Sequence, residues 1–135
     1  MKVVDASVVM KVLQAGEINR DLAEAMVRAH VEGVEKLIAP DLLYIEVANA
    51  LSTKTKTTQG KIKESLEWIY DLNLIREELG QTELVKASIW AKKYNVAVYD
   101  MIYAVLANKL GVEMVTADRK FAQKTGFKFV KVLGE

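Results

Sequence analysis

The chain alternates short apolar runs with longer segments in which apolar residues recur every three or four positions. The short runs, at residues 2–5, 36–39, 112–118 and 127–132, have the length of strands and predict buried strands. The longer segments predict amphipathic helices. Strands separated by helices of this length pair in parallel through right-handed crossovers. The pattern therefore predicts an α/β fold, a three-layer α/β/α sandwich with a central mainly parallel sheet, as a single domain over residues 1–135.

The predicted helices differ in how clearly their ends are marked. They cover residues 7–14, 18–31, 42–51, 61–72, 82–94, 101–110 and 119–125. We predict Ser7 and Thr82 as N-caps of the first and fifth helices, because hydroxyl side chains accept hydrogen bonds from free backbone N–H groups. The helix at 101–110 is apolar on almost every side, so we expect it to be buried at the centre. Residues 52–60 are polar and predict a loop, whereas residues 73–79 fit either an irregular connection or a short edge strand.

Three aspartates follow apolar runs of β character. Asp5 ends the first run, Asp100 ends the run at 96–100, and Asp118 ends the run at 112–118. Because the carboxyl ends of parallel strands meet at one edge of a sheet, we expect Asp5 and Asp118 at that edge and Asp100 at the start of a helix beside it. Each aspartate taken alone is explained as an N-cap. Capping does not explain why three such ends should meet.

Glu46 is the fourth acidic residue that we expect at this edge. It lies outside the buried stripe of its helix and shares a face with Leu42, Asn49 and Ala50, where Asn49 is placed to hydrogen-bond it. A lone helical glutamate is ordinarily a solvated surface residue. The prediction that Glu46 reaches the acidic edge therefore depends on how its helix packs.

The composition narrows the classes of protein. The absence of cysteine excludes disulfides and thiolate metal sites and favours a cytoplasmic location. No uncharged apolar stretch is long enough to span a bilayer, so we expect no membrane association. The formal net charge is +1, from 19 Lys and Arg against 18 Asp and Glu, and gives no general sign of a nucleic-acid partner. A site made of acids lowers this total, so a nucleic-acid substrate is not excluded.

Four carboxylates without histidine or cysteine have a characteristic chemistry. Close carboxylates repel one another, and a divalent cation relieves the repulsion. All-oxygen ligation with few protein ligands suits magnesium or manganese rather than zinc. Such a site supports in-line attack of a metal-activated water on a phosphodiester. Asp5, Glu46, Asp100 and Asp118 are therefore the candidate catalytic residues.

Four segments together resemble one known family. They are VVDAS at 3–7, PDLLYIEVANAL at 40–51, VYDMIYAVLA at 98–107 and VTADRKF at 115–121. Each is weakly specific, but in this order and at these intervals they resemble the PIN domain. Among PIN domains, a short single-domain chain is most similar to the VapC toxins of toxin–antitoxin pairs.

The resemblance implies a magnesium-dependent endoribonuclease that hydrolyses RNA, with manganese as the alternative metal. It implies Asp5 and Asp100 as the principal metal ligands, with Glu46 and Asp118 in supporting positions. It also implies a homodimer and a cognate antitoxin whose tail would cover the acidic pocket.

Three further residues are candidates for substrate binding. Ser7 and Thr116 lie beside the acids and are placed to hold a water or a phosphate, although capping is an equal alternative for Ser7. Arg119 is placed to contact an RNA phosphate, and a surface ion pair is its more ordinary role.

Other functions remain open at this point. One is a PIN nuclease of RNA processing, and another is a PIN domain reduced to a binding or regulatory module, against which the four intact acids argue. A receiver-like domain or a haloacid-type phosphatase would need a second acid close to Asp5, and the residue two positions on is Ser7.

Overall fold

The computed structural model describes residues 1–53 and 56–135, which form five strands and seven helices. The strands are β1 (Lys2–Val4), β2 (Leu37–Ala39), β3 (Ile75–Arg76), β4 (Glu113–Thr116) and β5 (Val130–Val132). The helices are α1 (Ala6–Leu13), α2 (Arg20–Val31), α3 (Leu42–Thr53), α4 (Gln59–Asp71), α5 (Gln81–Tyr94), α6 (Val98–Leu110) and α7 (Arg119–Thr125).

The strands form one parallel sheet in the order β3-β2-β1-β4-β5, with helices on both faces. The predicted three-layer sandwich with a parallel sheet is confirmed. The chain builds outward from β1 through β2 to β3, then returns to the other side of β1 with β4 and β5. The connections that follow β1 and β4 therefore leave in opposite directions, and open α/β sheets bind ligands at such a point.

The core forms where the sheet meets α6. Val3 and Val4 of β1 are fully buried, and β1 lies between β2 and β4. The predicted burial of the sixth helix is confirmed, since six of its residues are inaccessible to solvent. They are Met101, Tyr103, Ala104, Val105, Leu106 and Ala107. A helix this apolar is held rigidly, which fixes the direction of the few polar side chains that it carries.

The prediction of a β-prone run at residues 96–100 is wrong. Helix α6 begins at Val98, so Val98, Tyr99 and Asp100 are all helical, and only residues 95–97 separate α5 from α6. Asn95 ends α5 in the left-handed conformation, which turns the chain directly into the next helix. The preference of valine and tyrosine for strands is overridden because α5 and α6 pack against each other as a helical hairpin.

Two predicted caps are also wrong. Asp5, not Ser7, is the N-cap of α1, and Gly80, not Thr82, precedes α5. An ionised carboxylate is a stronger acceptor for the backbone N–H groups than a hydroxyl, and Asp5 already follows directly on β1.

The two uncertain connections differ in outcome. Residues 73–79 include β3, a two-residue strand at the edge of the sheet. The predicted loop at 52–60 is narrower than expected, because α3 continues to Thr53 and α4 begins at Gln59. Lys54 and Thr55 lie outside the described residues. Across residues 1–53 and 56–135, every helix is too short or too polar to cross a membrane.

His30, the one histidine of the sequence, joins two parts of the fold. Its side chain is only 1% exposed. Nδ1 accepts a hydrogen bond of 3.0 Å from the Leu37 backbone N–H, and Nε2 lies 2.8 Å from the Leu72 carbonyl oxygen. Since Nδ1 accepts, Nε2 carries the proton and donates to Leu72. The ring therefore connects the end of α2 with the start of β2 and the end of α4.

Replacing His30 by alanine should lower the free energy of unfolding by about 2–3 kcal/mol, because the Leu37 N–H and the Leu72 carbonyl are left without their partner and a cavity opens. Urea denaturation measures this loss. The neighbouring Val31→Ala is the matched control, since Val31 is exposed and should cost little. Equal stabilities of the two variants would contradict a bridging role for His30.

Candidate active site

One cavity at the carboxyl edge of the sheet carries all four predicted acids. It has a volume of about 500 Å³, and Asp5, Glu46, Asp100 and Asp118 lie on its wall. Asp5 follows β1 and Asp118 follows β4, on the two sides of the point where the connections diverge. Asp100 enters from the first turn of α6 and Glu46 from α3. The fold thus brings together acids from four separate parts of the chain.

Asp5 is held in one orientation by two hydroxyl groups. Its Oδ1 accepts hydrogen bonds from Ser7 Oγ at 2.5 Å and from the Ser7 backbone N–H at 3.1 Å, and its Oδ2 accepts from Thr116 Oγ1 at 2.5 Å. The residue as a whole is only 6% exposed. Burial raises the pKa of Asp5 to about 6, although the bonds from Ser7 and Thr116 oppose the rise, and the charge of Asp100 adds to it.

The Ser7 and Thr116 hydroxyls lock the ends of β1 and β4 together. Each donates its hydrogen to Asp5, and each accepts a backbone N–H, Ser7 from Ala117 at 2.8 Å and Thr116 from Asp118 at 3.0 Å. A hydroxyl has only one hydrogen to donate, so in this arrangement neither can donate to a phosphate. Their predicted contact with substrate stays a prediction, and the role visible in the structure is to orient Asp5.

Asp100 is the acid most affected by its neighbours. Burial, together with the negative charges of Asp118 and Glu46, raises the pKa of Asp100 to about 6. Among the described residues, no group donates a hydrogen bond to its carboxylate, and the N-cap of α6 is Ala97. The explanation of Asp100 as a helix cap is therefore wrong, and its position in the cavity has no evident structural purpose.

Glu46 is oriented by a residue that the sequence did not single out. Tyr103 Oη donates a hydrogen bond of 2.5 Å to Glu46 Oε1. The tyrosine is buried, and burial together with the bond to Glu46 and that residue's charge raises the pKa of Tyr103, so it stays protonated as a donor. Asn49, the predicted partner of Glu46, lines the cavity without donating to it in the described structure. The sequence did contain a sign of this role: residues three positions apart lie on the same face of a helix, so Tyr103 is on the face of α6 that carries Asp100.

Asp118 has two roles in the structure. Its Oδ1 accepts the Phe121 backbone N–H at 3.0 Å and so caps α7, as the ordinary explanation held. The same side chain lies on the cavity wall and contributes to the raised pKa of Asp100. Capping and a place in the acidic site are therefore compatible for Asp118, as they are for Asp5.

The donor set fits a hydrated divalent cation. Carboxylate oxygens are the ligands that Mg²⁺ and Mn²⁺ prefer, and a cation here would relieve the repulsion that raises the pKa of Asp100. In the part of the chain that the structure describes, no three acidic, histidine or cysteine side chains stand close enough to enclose an ion. Mg²⁺ commonly takes only one or two carboxylates directly and keeps several waters. The four acids therefore suit a magnesium ion that keeps several of its waters better than a metal ion whose ligands all come from the protein.

Cationic side chains lie on either side of the acids, although Arg119 is not among them. Arg119 pairs with Glu135 at 2.5 Å and lines a surface hollow that contains none of the four acids. The surface ion pair is therefore its observed contact. Lys120 and Lys124 share a second hollow with Asp100 and Asp118. On the other side, Lys11 lines a third hollow beside Ser7 and Asp118. Lys120 and Lys124 are therefore better placed than Arg119 for a phosphate chain that crosses the acids, whereas Lys11 pairs with Glu17 at 3.3 Å.

The chain is similar to known proteins over nearly its whole length. A sequence profile of the PIN domain matches residues 2–126. Ribonuclease VapC3 of Pyrobaculum aerophilum is 30% identical over 128 residues, which cover 90% of this chain and 92% of that protein. The region that matches the PIN profile contains all four acids.

Two solved structures have the same architecture. The crystal structure of PAE2754 from Pyrobaculum aerophilum superposes with a TM-score of 0.71 at 22% identity and covers 98% of this chain and 88% of its own. That of Mycobacterium tuberculosis VapC20, a sarcin-ricin loop cleaving toxin, gives a TM-score of 0.72 at 15% identity and covers 97% and 99%. At these identities the similarity is one of fold.

Proposed function

Because this chain belongs to the PIN domain family, we propose that it is a divalent-metal-dependent endoribonuclease. The observation that carries the proposal is the cavity in which Asp5, Glu46, Asp100 and Asp118 meet. The 30% identity to a protein named as a ribonuclease supports RNA as the substrate. The raised pKa values of Asp5 and Asp100 are typical of acids arranged for a function at some cost in stability.

The proposed roles of the side chains are of two kinds, because some would bind the metal and others orient the residues that bind it. Asp5 and Asp100 would hold magnesium, or manganese in its place, and Glu46 and Asp118 would support them through bound waters. Ser7 and Thr116 keep both oxygens of Asp5 in place, and Tyr103 keeps Glu46 in place. When bound, the metal would supply charge neutralisation at the scissile phosphate and an acidified water for in-line attack. Lys120 and Lys124 would meet phosphates that flank the cut.

We further propose that the protein is the toxin of a VapBC-type pair and acts in the cytoplasm, where its RNA substrates are. Its similarity to VapC3 supports this assignment. A toxin needs an antitoxin to block the acidic cavity. We also propose a homodimer, because the large apolar side chains of Leu84, Val85 and Ile89 are exposed on α5, where a second copy of the chain would cover them. Sedimentation of the purified chain tests the dimer.

Cleavage of a pool of structured RNAs tests the nuclease. The purified protein should cut RNA in magnesium or manganese and should lose all cutting when the metal is chelated. Induced expression then distinguishes a toxin, which arrests growth, from an RNA-processing enzyme, which does not. RNA binding without cleavage under any divalent metal would identify a binding module and contradict the proposal.

Tyr103→Phe should reduce kcat/KM for RNA cleavage roughly 10- to 100-fold, because a hydrogen bond to a charged group contributes about 1.5–3 kcal/mol and phenylalanine keeps the ring but not the donor. The fold should be unchanged, since the ring stays buried. The rate should recover partly at high Mg²⁺ if Glu46 assists metal binding. A variant with the wild-type rate at every Mg²⁺ concentration would contradict a positioning role for Tyr103.

A further inference from the structure

Two large apolar side chains stand exposed at the mouth of the acid cavity. Tyr99 is 58% exposed and Ile45 is 64% exposed, and both line the same cavity as the acids. Each directly precedes an acid in sequence, Tyr99 before Asp100 and Ile45 before Glu46. The two helices α6 and α3 therefore each present an acid and an apolar residue to the cavity.

The fold gives no reason for Tyr99 to be aromatic. Among the described residues its ring stacks on no other ring and carries no cation, and its hydroxyl has no hydrogen-bond partner. Each of the other four tyrosines has such a contact: Tyr44 and Tyr70 stack on each other, Tyr94 packs edge-on against Phe127, and Tyr103 donates a hydrogen bond to Glu46. An exposed aromatic ring without a structural contact, on the wall of a functional cavity, is suited to a ligand.

The chemistry of the cavity favours one part of an RNA chain for this ring. The acids repel phosphates, and a bound metal and the nearby Lys120 and Lys124 offset this repulsion, so contacts with uncharged groups would add to the affinity. Nucleobases are such groups, and every base has a π face that stacks on an aromatic side chain. Because the scissile phosphate must meet the acids, a base beside it lies against the wall of the same cavity. A paired base is already stacked in its helix and is not free to do this.

On the basis of the proposed nuclease function, we propose that Tyr99 and Ile45 form a ledge on which an unpaired base next to the scissile phosphate stacks. Tyr99 is then a substrate-binding residue that selects for unpaired nucleotides.

The binding test uses a short single-stranded RNA with 2-aminopurine, whose fluorescence falls when the base stacks. Binding is measured in the Asp100→Asn background at a high concentration of Mn²⁺, so that the RNA stays uncut while a cation still offsets the charge of the remaining acids. Adding Tyr99→Ala should weaken affinity roughly 10-fold and remove the quenching, in line with the strength of base–aromatic stacking. Tyr99→Phe should retain both. Val34→Ala is the control, since Val34 is 75% exposed in the segment before β2 and belongs neither to the cavity wall nor to the exposed face of α5.

Cleavage gives a second readout that locates the base. Replacing the nucleotide beside the cut by an abasic one should slow cleavage by the wild type roughly 10-fold. The same replacement should not slow cleavage by Tyr99→Ala any further, because that variant has already lost the stacking contact. If the abasic nucleotide and Tyr99→Ala each slow cleavage and their effects add, the proposal is overturned. In the binding test, an RNA affinity that Tyr99→Ala leaves unchanged, or a probe that does not bind at all, would also overturn it. An unchanged RNA affinity would instead indicate Tyr99 as a contact for a protein partner.

The outcomes separate this inference from the nuclease proposal. Cleavage by the wild type with an RNA affinity indifferent to Tyr99 leaves the nuclease standing and removes the ledge. Binding and quenching that depend on Tyr99, without cleavage by the wild type, keep Tyr99 as a base-stacking residue but remove the nuclease and the place of the base beside a scissile phosphate.

Discussion

Asp100→Asn should abolish RNA cleavage, with a loss of about 10³-fold or more, while the protein remains folded. Asp100 is a proposed metal ligand, and asparagine replaces a carboxylate by a neutral amide of the same shape. In the metal-free protein the variant should be more stable at neutral pH, because the neutral amide removes the cost of burying a charge and the repulsion from Asp118 and Glu46. Since the group is partly exposed, we expect this gain to be on the order of 1 kcal/mol. Cleavage assays and urea denaturation measure the two effects.

A loss of activity together with a gain in stability is expected only if Asp100 serves the site and not the fold. Asp71→Asn is the matched control, since Asp71 is exposed at the end of α4, and it should change neither activity nor stability appreciably. Unfolding of Asp100→Asn would mean that the aspartate supports the fold, which its lack of hydrogen-bond donors among the described residues argues against. An active Asp100→Asn would show that the acidic cavity is not the catalytic site.

The metal-free protein should lose stability as the pH rises from about 4 to about 7, and Mg²⁺ should restore it. The unfolded chain has an ordinary aspartate pKa near 4, whereas the folded protein holds the Asp5 proton up to a pKa of about 6. In that interval the folded state binds more protons than the unfolded state, so each rise in pH favours unfolding. Ionisation of buried Asp5 costs about 3 kcal/mol by this linkage.

Comparing Tm with and without Mg²⁺ at two pH values tests this linkage. Mg²⁺ needs the ionised carboxylates, so it should raise Tm near neutral pH and have little effect at about pH 5, where Asp5 and Asp100 are largely protonated. The Asp100→Asn variant should show a much smaller rise at neutral pH. Equal metal effects at both pH values would contradict a site built from these two acids.

The architecture could be predicted because it depends on local patterns. Runs such as Val3-Val4 before Asp5 carry both the strand and its end, and their parallel pairing follows from the helices between them. The convergence of Asp5 and Asp118 at one edge follows from the same rule. The apolar character of residues 101–110 likewise predicted the burial of α6, which the structure confirms.

The errors arise where a tertiary contact decides between local alternatives. The run at 96–100 is valine-rich, but the short connection after Asn95 commits it to a helical hairpin. Tyr103 was read as part of an apolar helix, since a sequence does not show that its hydroxyl meets Glu46 across the core. Arg119 and Lys120 are adjacent and equally basic in sequence, and only the direction of α7 puts Lys120 beside the acids.

Direct titration of the protein with Mn²⁺ or Mg²⁺, by calorimetry at neutral pH, tests the central claim that the four acids form a metal site. The wild type should bind a divalent ion with release of protons, and Asp100→Asn should bind at least about 10-fold more weakly, while Asp71→Asn should match the wild type. A wild type that binds no divalent ion, or an Asp100→Asn that binds as tightly as the wild type, would contradict the account.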